Sequence, residues 1–244
     1  LDRESSSYGT MSDSPLAETL VAYTEVRNGR VEQLKVVGEH CPMDTAGHPV
    51  EYVSNSGDRA MLTWLDSLAR DRDEDRIGHA AIWAMALHAS PVASDRLHRM
   101  AREENGERAG EAIFWLGDAR GREGYEALET LLDELPTGET RRRINFALSE
   151  NDSKQATRLL TDIAQNDRDP EQRADALFWL AEEHPEVAQE LILDVIENET
   201  NHEVLERAVF AMSQLPEDVA GPMLLDLAKN ENAPREVRHQ ALFW

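Results

Sequence analysis

The residues of this chain with the widest chemical reach are its eight histidines and single cysteine. His40 and Cys41 are adjacent and His48 is close by, and one thiolate with two imidazoles could begin a zinc site. The spacing fits no common zinc pattern, and no fourth ligand can be named. His79, His88, His98, His184, His202 and His239 contain no H-E-x-x-H pair, the spacing that sets two imidazoles on one face of a helix. The run Asp71-Arg72-Asp73-Glu74-Asp75 is acidic, but it lacks the alternating ligands and turning glycine of a calcium loop. It reads as a solvated loop that also caps the helix after it. There is no G-x-S-x-G, no phosphate-cradling glycine loop and no dinucleotide fingerprint. These residues therefore predict no catalytic group, no cofactor, no metal, and a chain that is not an enzyme.

Charge narrows the partners. Lys+Arg is 25 and Asp+Glu is 48, a net charge of −23 over 244 residues. Only Lys35, Lys154 and Lys229 are lysines. Phosphate backbones need a concentrated basic face, and no run of Lys or Arg supplies one, so nucleic acid is excluded. No window approaches the ~20 apolar residues of a membrane span, which excludes membrane insertion. The acidity fits general solubility, adaptation to salt, or attraction of a basic partner. Cys41 has no second cysteine to pair with, and reads as either a buried structural thiol or a reactive one.

One apolar phrase recurs through this acidic chain. Ala112-Ile113-Phe114-Trp115-Leu116 returns as Ala176-Leu177-Phe178-Trp179-Leu180, and the chain closes on Ala241-Leu242-Phe243-Trp244. Phe114, Phe146, Phe178 and Phe210 are each 32 apart, with Ile82 one period before and Phe243 one residue late. Asp162-Ile163, Asp194-Val195 and Asp226-Leu227 mark a second apolar run in the same period. A unit is thus two helices, and Pro91, Pro170, Pro185, Pro216 and Pro234 mark starts, where a missing N–H costs nothing. The expected pairs are 58–70/76–88, 92–103/106–118, 122–134/138–150, 153–165/170–182, 186–198/202–214 and 217–229/234–244. No helix pair buries its apolar faces alone, but stacked pairs do. Five successive apolar positions exceed one buried stripe. They suit a second helix that touches its own partner and both neighbours.

The front of the chain differs. Residues 1–15 have the composition of a disordered leader. Leu20–Val26 and Arg30–Val37 are β-prone runs around Asn28-Gly29, a strong hairpin signal. Val50-Glu51-Tyr52-Val53 follows a turn, so a small three-stranded antiparallel cap is expected over about 16–55. A cap covers the core that a terminal repeat would expose. The chain begins at Leu1 and ends in mid-phrase at Trp244, so the natural protein is expected to continue.

The repeat resembles the HEAT and HEAT-like repeats over residues 56–244, most clearly at Arg173-Ala174-Asp175-Ala176-Leu177-Phe178-Trp179-Leu180. The resemblance implies a mainly α fold, a right-handed α-α superhelix of about six helix pairs with the last truncated. Such arrays are mostly protein-binding scaffolds, with enzymes among them. HEAT-like deoxyhypusine hydroxylases hold di-iron with several His-Glu dipeptides. Here His202-Glu203 stands alone, so that chemistry is not supported. Cys41–Val53 is similar to a stretch found before the repeats in a family of uncharacterised bacterial HEAT-repeat proteins, with departures at Thr45, His48 and Tyr52. That likeness implies an exported, extracytoplasmic protein and brings no activity.

The stripe one residue after each Phe carries the functional expectation. It reads Trp83, Trp115, Ala147, Trp179, Ala211 and Trp244. One turn earlier on the same face lie His79, Glu111, Arg143, Asp175, Arg207 and Gln240. The Phe positions should be core, and the Trp stripe should face the concave groove. Glu111, Arg143, Asp175 and Arg207 alternate in charge. That is either a ladder fixing repeat packing or a groove of paired charges with Trp83, Trp115, Trp179 and Trp244 as anchors. The predicted function is a non-enzymatic scaffold that binds a peptide or protein on its concave face. A HEAT-like module tied to an enzyme, a lyase or hydroxylase relative, is the alternative, and a structural spacer is a third reading.

Overall fold

The computed structural model describes residues 19–53, 57–71, 75–103, 106–135 and 138–244. The expected leader, 1–15, and positions 72–74 of the acidic run lie outside them.

Two strands, β1 (Leu20–Arg27) and β2 (Arg30–Gly38), pair antiparallel from Leu20↔Gly38 to Arg27↔Arg30. Asn28 and Gly29 make the turn at φ 52° and 76°, the left-handed values that a two-residue hairpin needs and that Asn and Gly adopt most cheaply. The third expected strand does not form. Val50, Tyr52 and Val53 are exposed at 61%, 83% and 73%, so they have no apolar face to gain by pairing. Cys41 is exposed rather than a buried structural thiol. Leu34 and Val36, two apart on β2, point to one side and join the core. β2 lies against the helix Asp75–Ala86.

Eleven helices follow among the described residues. They are α1 (Asp58–Ala69), α2 (Asp75–Ala86), α3 (Val92–Glu103), α4 (Glu107–Glu134), α5 (Glu139–Ser149), α6 (Lys154–Asn166), α7 (Pro170–Glu183), α8 (Pro185–Asn198), α9 (His202–Gln214), α10 (Glu217–Lys229) and α11 (Arg235–Phe243). Side-chain caps start three of them. Ser153 accepts from the Ala156 N–H, Asp169 from Glu171, and Asn201 from Glu203 and Val204, filling donors that the first turn leaves open. Pro170 and Pro185 sit in the first turn, whereas Pro216 and Pro234 fall one residue earlier, at the N-cap.

α4 runs through the expected 118–122 loop with a kink at Gly121, φ 46° and ψ −125°. A kink opens carbonyls, and buried Asn151 donates to two of them, Gly117 O and Gly121 O, both at 2.9 Å. α4 therefore supplies two repeat helices, one on each side of Gly121.

The fold is a HEAT-like α-solenoid with a β-hairpin at its N-terminal side. The second helices of the pairs are α2, the first arm of α4, α5, α7, α9 and α11. They pack on one another in sequence, α5 on α7 and α7 on α9 most closely. Among the described residues, the first helices α6, α8 and α10 make no comparable contact with each other. The core residues of the second helices repeat as Ala112, Ile113, Leu116; Ile144, Ala147, Leu148; Ala176, Leu177, Leu180; and Ala208, Val209, Met212, all 0% exposed. The recurring phrase is thus core at its first, second and fifth positions, and at its fourth where Ala147 and Ala211 stand in place of Trp.

Arginines hold the turns. The Arg173 guanidinium donates to Glu199 at 2.8 Å and to the Asp167 carbonyl at 2.8 Å. One period earlier Arg141 reaches Asp167 at 2.7 Å, and Arg108 bonds the Asp71 carbonyl and Asp75. Arg120 donates to the Ala86, His88 and Ser90 carbonyls, closing the end of α2. The sequence shows the repeated Arg, but the role of each depends on the loop it reaches.

Candidate functional site

The third position of the phrase leaves the core, and the fourth is only partly buried where it is Trp115 or Trp179. Phe114, Phe146, Phe178 and Phe210 are half-buried, as are Trp115 and Trp179. The expectation of a core Phe beside a groove Trp is corrected: the Phe rings stand off the Ala/Leu core, whereas Trp115 and Trp179 are half-buried against it. Around a helix with 3.6 residues per turn the third position is turned by roughly 200° from the first and looks outward, while the fourth, at roughly 300°, lies at the edge of the buried stripe.

The rings form one run across five helices. Trp115 meets Phe114 edge to face, centroids 4.9 Å apart. Phe114 stacks on Phe146 at 5.8 Å. Phe146 meets Trp179 at 4.5 Å, and Trp179 meets Phe178 at 4.9 Å. Phe178 stacks on Phe210 at 5.7 Å, Phe210 meets Trp244 at 5.0 Å, and Trp244 meets Phe243 at 5.0 Å. Each such pair is worth about 0.5–1.5 kcal/mol beyond area burial. Ala at positions 147 and 211 takes no part; both are fully buried. At Ala147 the reason is visible: a Cβ on Gly117 would overlap its carbonyl, so α4 and α5 touch backbone to backbone.

Trp83 is half-buried against the core but, among the described residues, joins no ring contact, because Ile82 stands where the other repeats have Phe. Trp115, Trp179 and Trp244 are the predicted anchors that the structure brings into the run.

Among the described residues the charge ladder does not form as successive ion pairs. Arg143 turns back to Glu139, one turn earlier on its own helix, at 2.9 Å, and donates to the Gly106 carbonyl at 2.7 Å. It lies flat on α4 because Gly110 has no side chain; a Cβ there would collide with the guanidinium. Glu111 instead accepts from His79 Nδ1 at 2.5 Å and from the Trp115 indole at 3.4 Å. Asp175 accepts from Asn145 at 3.1 Å. Burial pushes the Glu111 and Asp175 carboxyls up, against the pull of His79 on the first and of Asn145, Arg142 and Arg207 on the second. Arg207 is exposed.

The other margin of the ring run is the flank three residues after the Trp or Ala of the stripe, and it is acidic in three repeats. Asp118, Glu150 and Glu182 each lie four residues after Phe114, Phe146 and Phe178, on the same helix face. Glu183 follows Trp179 in the same way. Among the described residues none of these four acids has a cation within ion-pair distance. Burial raises the Asp118 carboxyl, with Asp152 adding to it. Burial also raises Glu150, with further repulsion from Glu183 and Asp118. The signal was present in the period, since the three acids follow the Phe at a constant offset.

The named metal candidates do not converge. Among the described residues no three His, Cys, Asp or Glu side chains are grouped to hold an ion. No described helix is long and apolar enough to cross a membrane.

No protein-family model matches this chain, and no curated protein matches it. The resemblance of Cys41–Val53 to a bacterial family therefore has no family match behind it. Among solved structures the chain is similar to the complex of CpcE and CpcF of phycocyanin lyase from Nostoc sp. PCC7120, at 19% identity over 80% of this chain and 79% of that one, with a TM-score of 0.40. This overturns the expectation that the chain is not an enzyme. That complex is named as a lyase's, and the likeness gives this chain no activity of its own.

Proposed function

We propose that the second-helix face binds a segment of another protein, with the aromatic run as its contact surface. The observation that supports this is the unbroken contact from Trp115 to Phe243 across five helices, with the Phe rings outside the fully buried core. Aromatic rings bring large contact area with little side-chain entropy, which is why they concentrate in binding hot spots. The rings already hold each other in place, so docking orders little that is loose. Trp115, Trp179 and Trp244 are the proposed anchors; Glu111 and Asp175 fix the indoles and helices beside them, and Arg207 offers an exposed charge. Arg143, bound to its own helix, is a packing residue. The same face would serve a chain that works within an enzyme assembly, such as a lyase relative, where the docked segment would come from a partner subunit or a protein substrate.

Selection of a random peptide display library tests this. Wild-type protein is the bait, and a folded Trp179→Ala variant serves for counter-selection. Peptides that need the ring run should enrich. Recovery only of peptides that bind both proteins equally would overturn the proposal.

A further inference from the structure

We infer that the segment docked on the aromatic run is cationic, with arginine at every third position in an extended, polyproline-like conformation. The inference rests on the docking surface proposed above and names the chemistry of its partner.

The first support is the acidic margin. Asp118, Glu150, Glu182 and Glu183 stand at the C-terminal ends of α4's first arm, α5 and α7. A helix C-terminus already carries partial negative charge and favours Lys, Arg or His. None of α5, α7 and α9 has a basic residue in its last turn. Folding alone gives no reason for unpaired acids in that place, three times in register. A cation supplied from outside relieves both the repulsion among the carboxylates and their opposition to the helix dipole.

The second support is the pairing of that margin with rings. A guanidinium stacks on an aromatic face while its donors reach a carboxylate. Each period offers both groups: Phe114 with Asp118, Phe146 with Glu150, Phe178 with Glu182. Lysine would satisfy the charge but not the flat stacking.

The third support is spacing. Packed helices stand about 8–10 Å apart. A polyproline helix has three residues per turn and rises about 3.1 Å per residue, so every third side chain returns to the same side after about 9 Å. A β-strand alternates its faces, and its third residue would point away. One arginine per repeat therefore fits the first geometry and not the second.

The test measures binding of fluorescein-labelled peptides by anisotropy. One probe repeats Arg-Pro-Pro. Controls are a peptide of the same composition with its arginines clustered, one repeating Lys-Pro-Pro, and one repeating Leu-Pro-Pro. The spaced arginine probe should bind about tenfold tighter than the clustered one and tighter than the lysine probe. Added salt should weaken it. Trp179→Ala should lose that advantage. So should a variant carrying Asp118→Asn, Glu150→Gln and Glu182→Gln, which leaves the rings intact if the Trp variant fails to fold. Equal binding of spaced and clustered arginine would show only general attraction to an acidic protein and overturn the inference. Ring-dependent binding of the Leu-Pro-Pro probe in preference would overturn the cationic partner and leave the docking surface standing. No binding of the spaced arginine probe overturns the inference, while the display selection reads the docking surface separately.

Discussion

Phe178 and Phe210 lie face to face, centroids 5.7 Å apart and planes 3° from parallel, one helix above the other. Neither is in the fully buried core, whose local members are Leu177 and Val209. Truncating a buried leucine costs about 2–5 kcal/mol through lost transfer and a cavity. Leu177→Ala should therefore destabilise more than Phe178→Ala, reversing what the strict repetition of Phe suggests. Phe178→Ala and Phe210→Ala should be less than additive, with a coupling of about 0.5–1.5 kcal/mol from the stacked pair. Chemical denaturation of the three variants and the double variant measures both. Additive losses would show that the rings sit side by side without stabilising each other.

Much of this architecture is written in the period. A repeat at 32 residues is strong because each unit must present the same faces to its neighbours, and prolines and caps then place the helix starts. The division of the phrase into core and surface was harder to read. Five apolar positions in a row have no polar contrast inside them, so Phe178 and Leu177 look alike until the helix is turned to its packed orientation. The Arg143 partner was illegible for another reason: Glu139, on its own helix, competes with the acids of the next repeat, and Gly110 decides the outcome by leaving room for the guanidinium. The margin of Asp118, Glu150 and Glu182 was legible at a constant offset, but its meaning depended on which face the Phe rings occupy.

Gly117 is held to its residue type by contact. A Cβ there would run into the Ala147 carbonyl of α5, so Gly117→Ala should push α4 and α5 apart and cost about 1–3 kcal/mol. Gly221 in α10 provides the control, since nothing lies within 4 Å of its Cβ position. Gly221→Ala should stabilise, by up to about 1 kcal/mol from helix propensity alone. Thermal melts of the two variants should move in opposite directions. A shift of the same sign in both would mean that the α4–α5 approach is looser than the structure shows.

Arg173 and Glu199 form a largely buried pair at 2.8 Å, exposed 14% and 15%. Burial opposes the Glu199 charge, but the Asn201 and Thr200 N–H groups and the Arg173 guanidinium outweigh it and hold the carboxyl below its ordinary value. A depressed carboxyl contributes stability above its unfolded pKa and loses it as pH falls through the folded pKa. Arg173→Met should cost about 1–3 kcal/mol at neutral pH, since it leaves a charge short of a partner and Asp167's carbonyl short of a donor. The gap from wild type should narrow as pH drops toward the folded value. Denaturation curves at a series of pH values measure it, and a gap that stays constant into acid would show that the pair does not act through the ionised carboxylate.

Asp175 should show the opposite sign. Burial is the largest influence on its carboxyl and pushes it up, more than Asn145, Arg142, Arg207 and the Trp179 indole pull it down. In the window between the ordinary aspartate value and the raised folded one, the native state binds more protons than the unfolded state. Stability then falls as pH rises through that window, and the loss persists at neutral pH. Asp175→Asn keeps the size of the side chain and an oxygen for Asn145 to donate to, while removing the buried charge. The variant should be as stable as wild type or more stable at neutral pH, and its margin over wild type should shrink on acidification. Its melting temperature across the acid range is the measurement. A variant clearly less stable than wild type at neutral pH would show that the attraction of Arg142 and Arg207 for the carboxylate outweighs burial, and that Asp175 is a structural ion-pair partner.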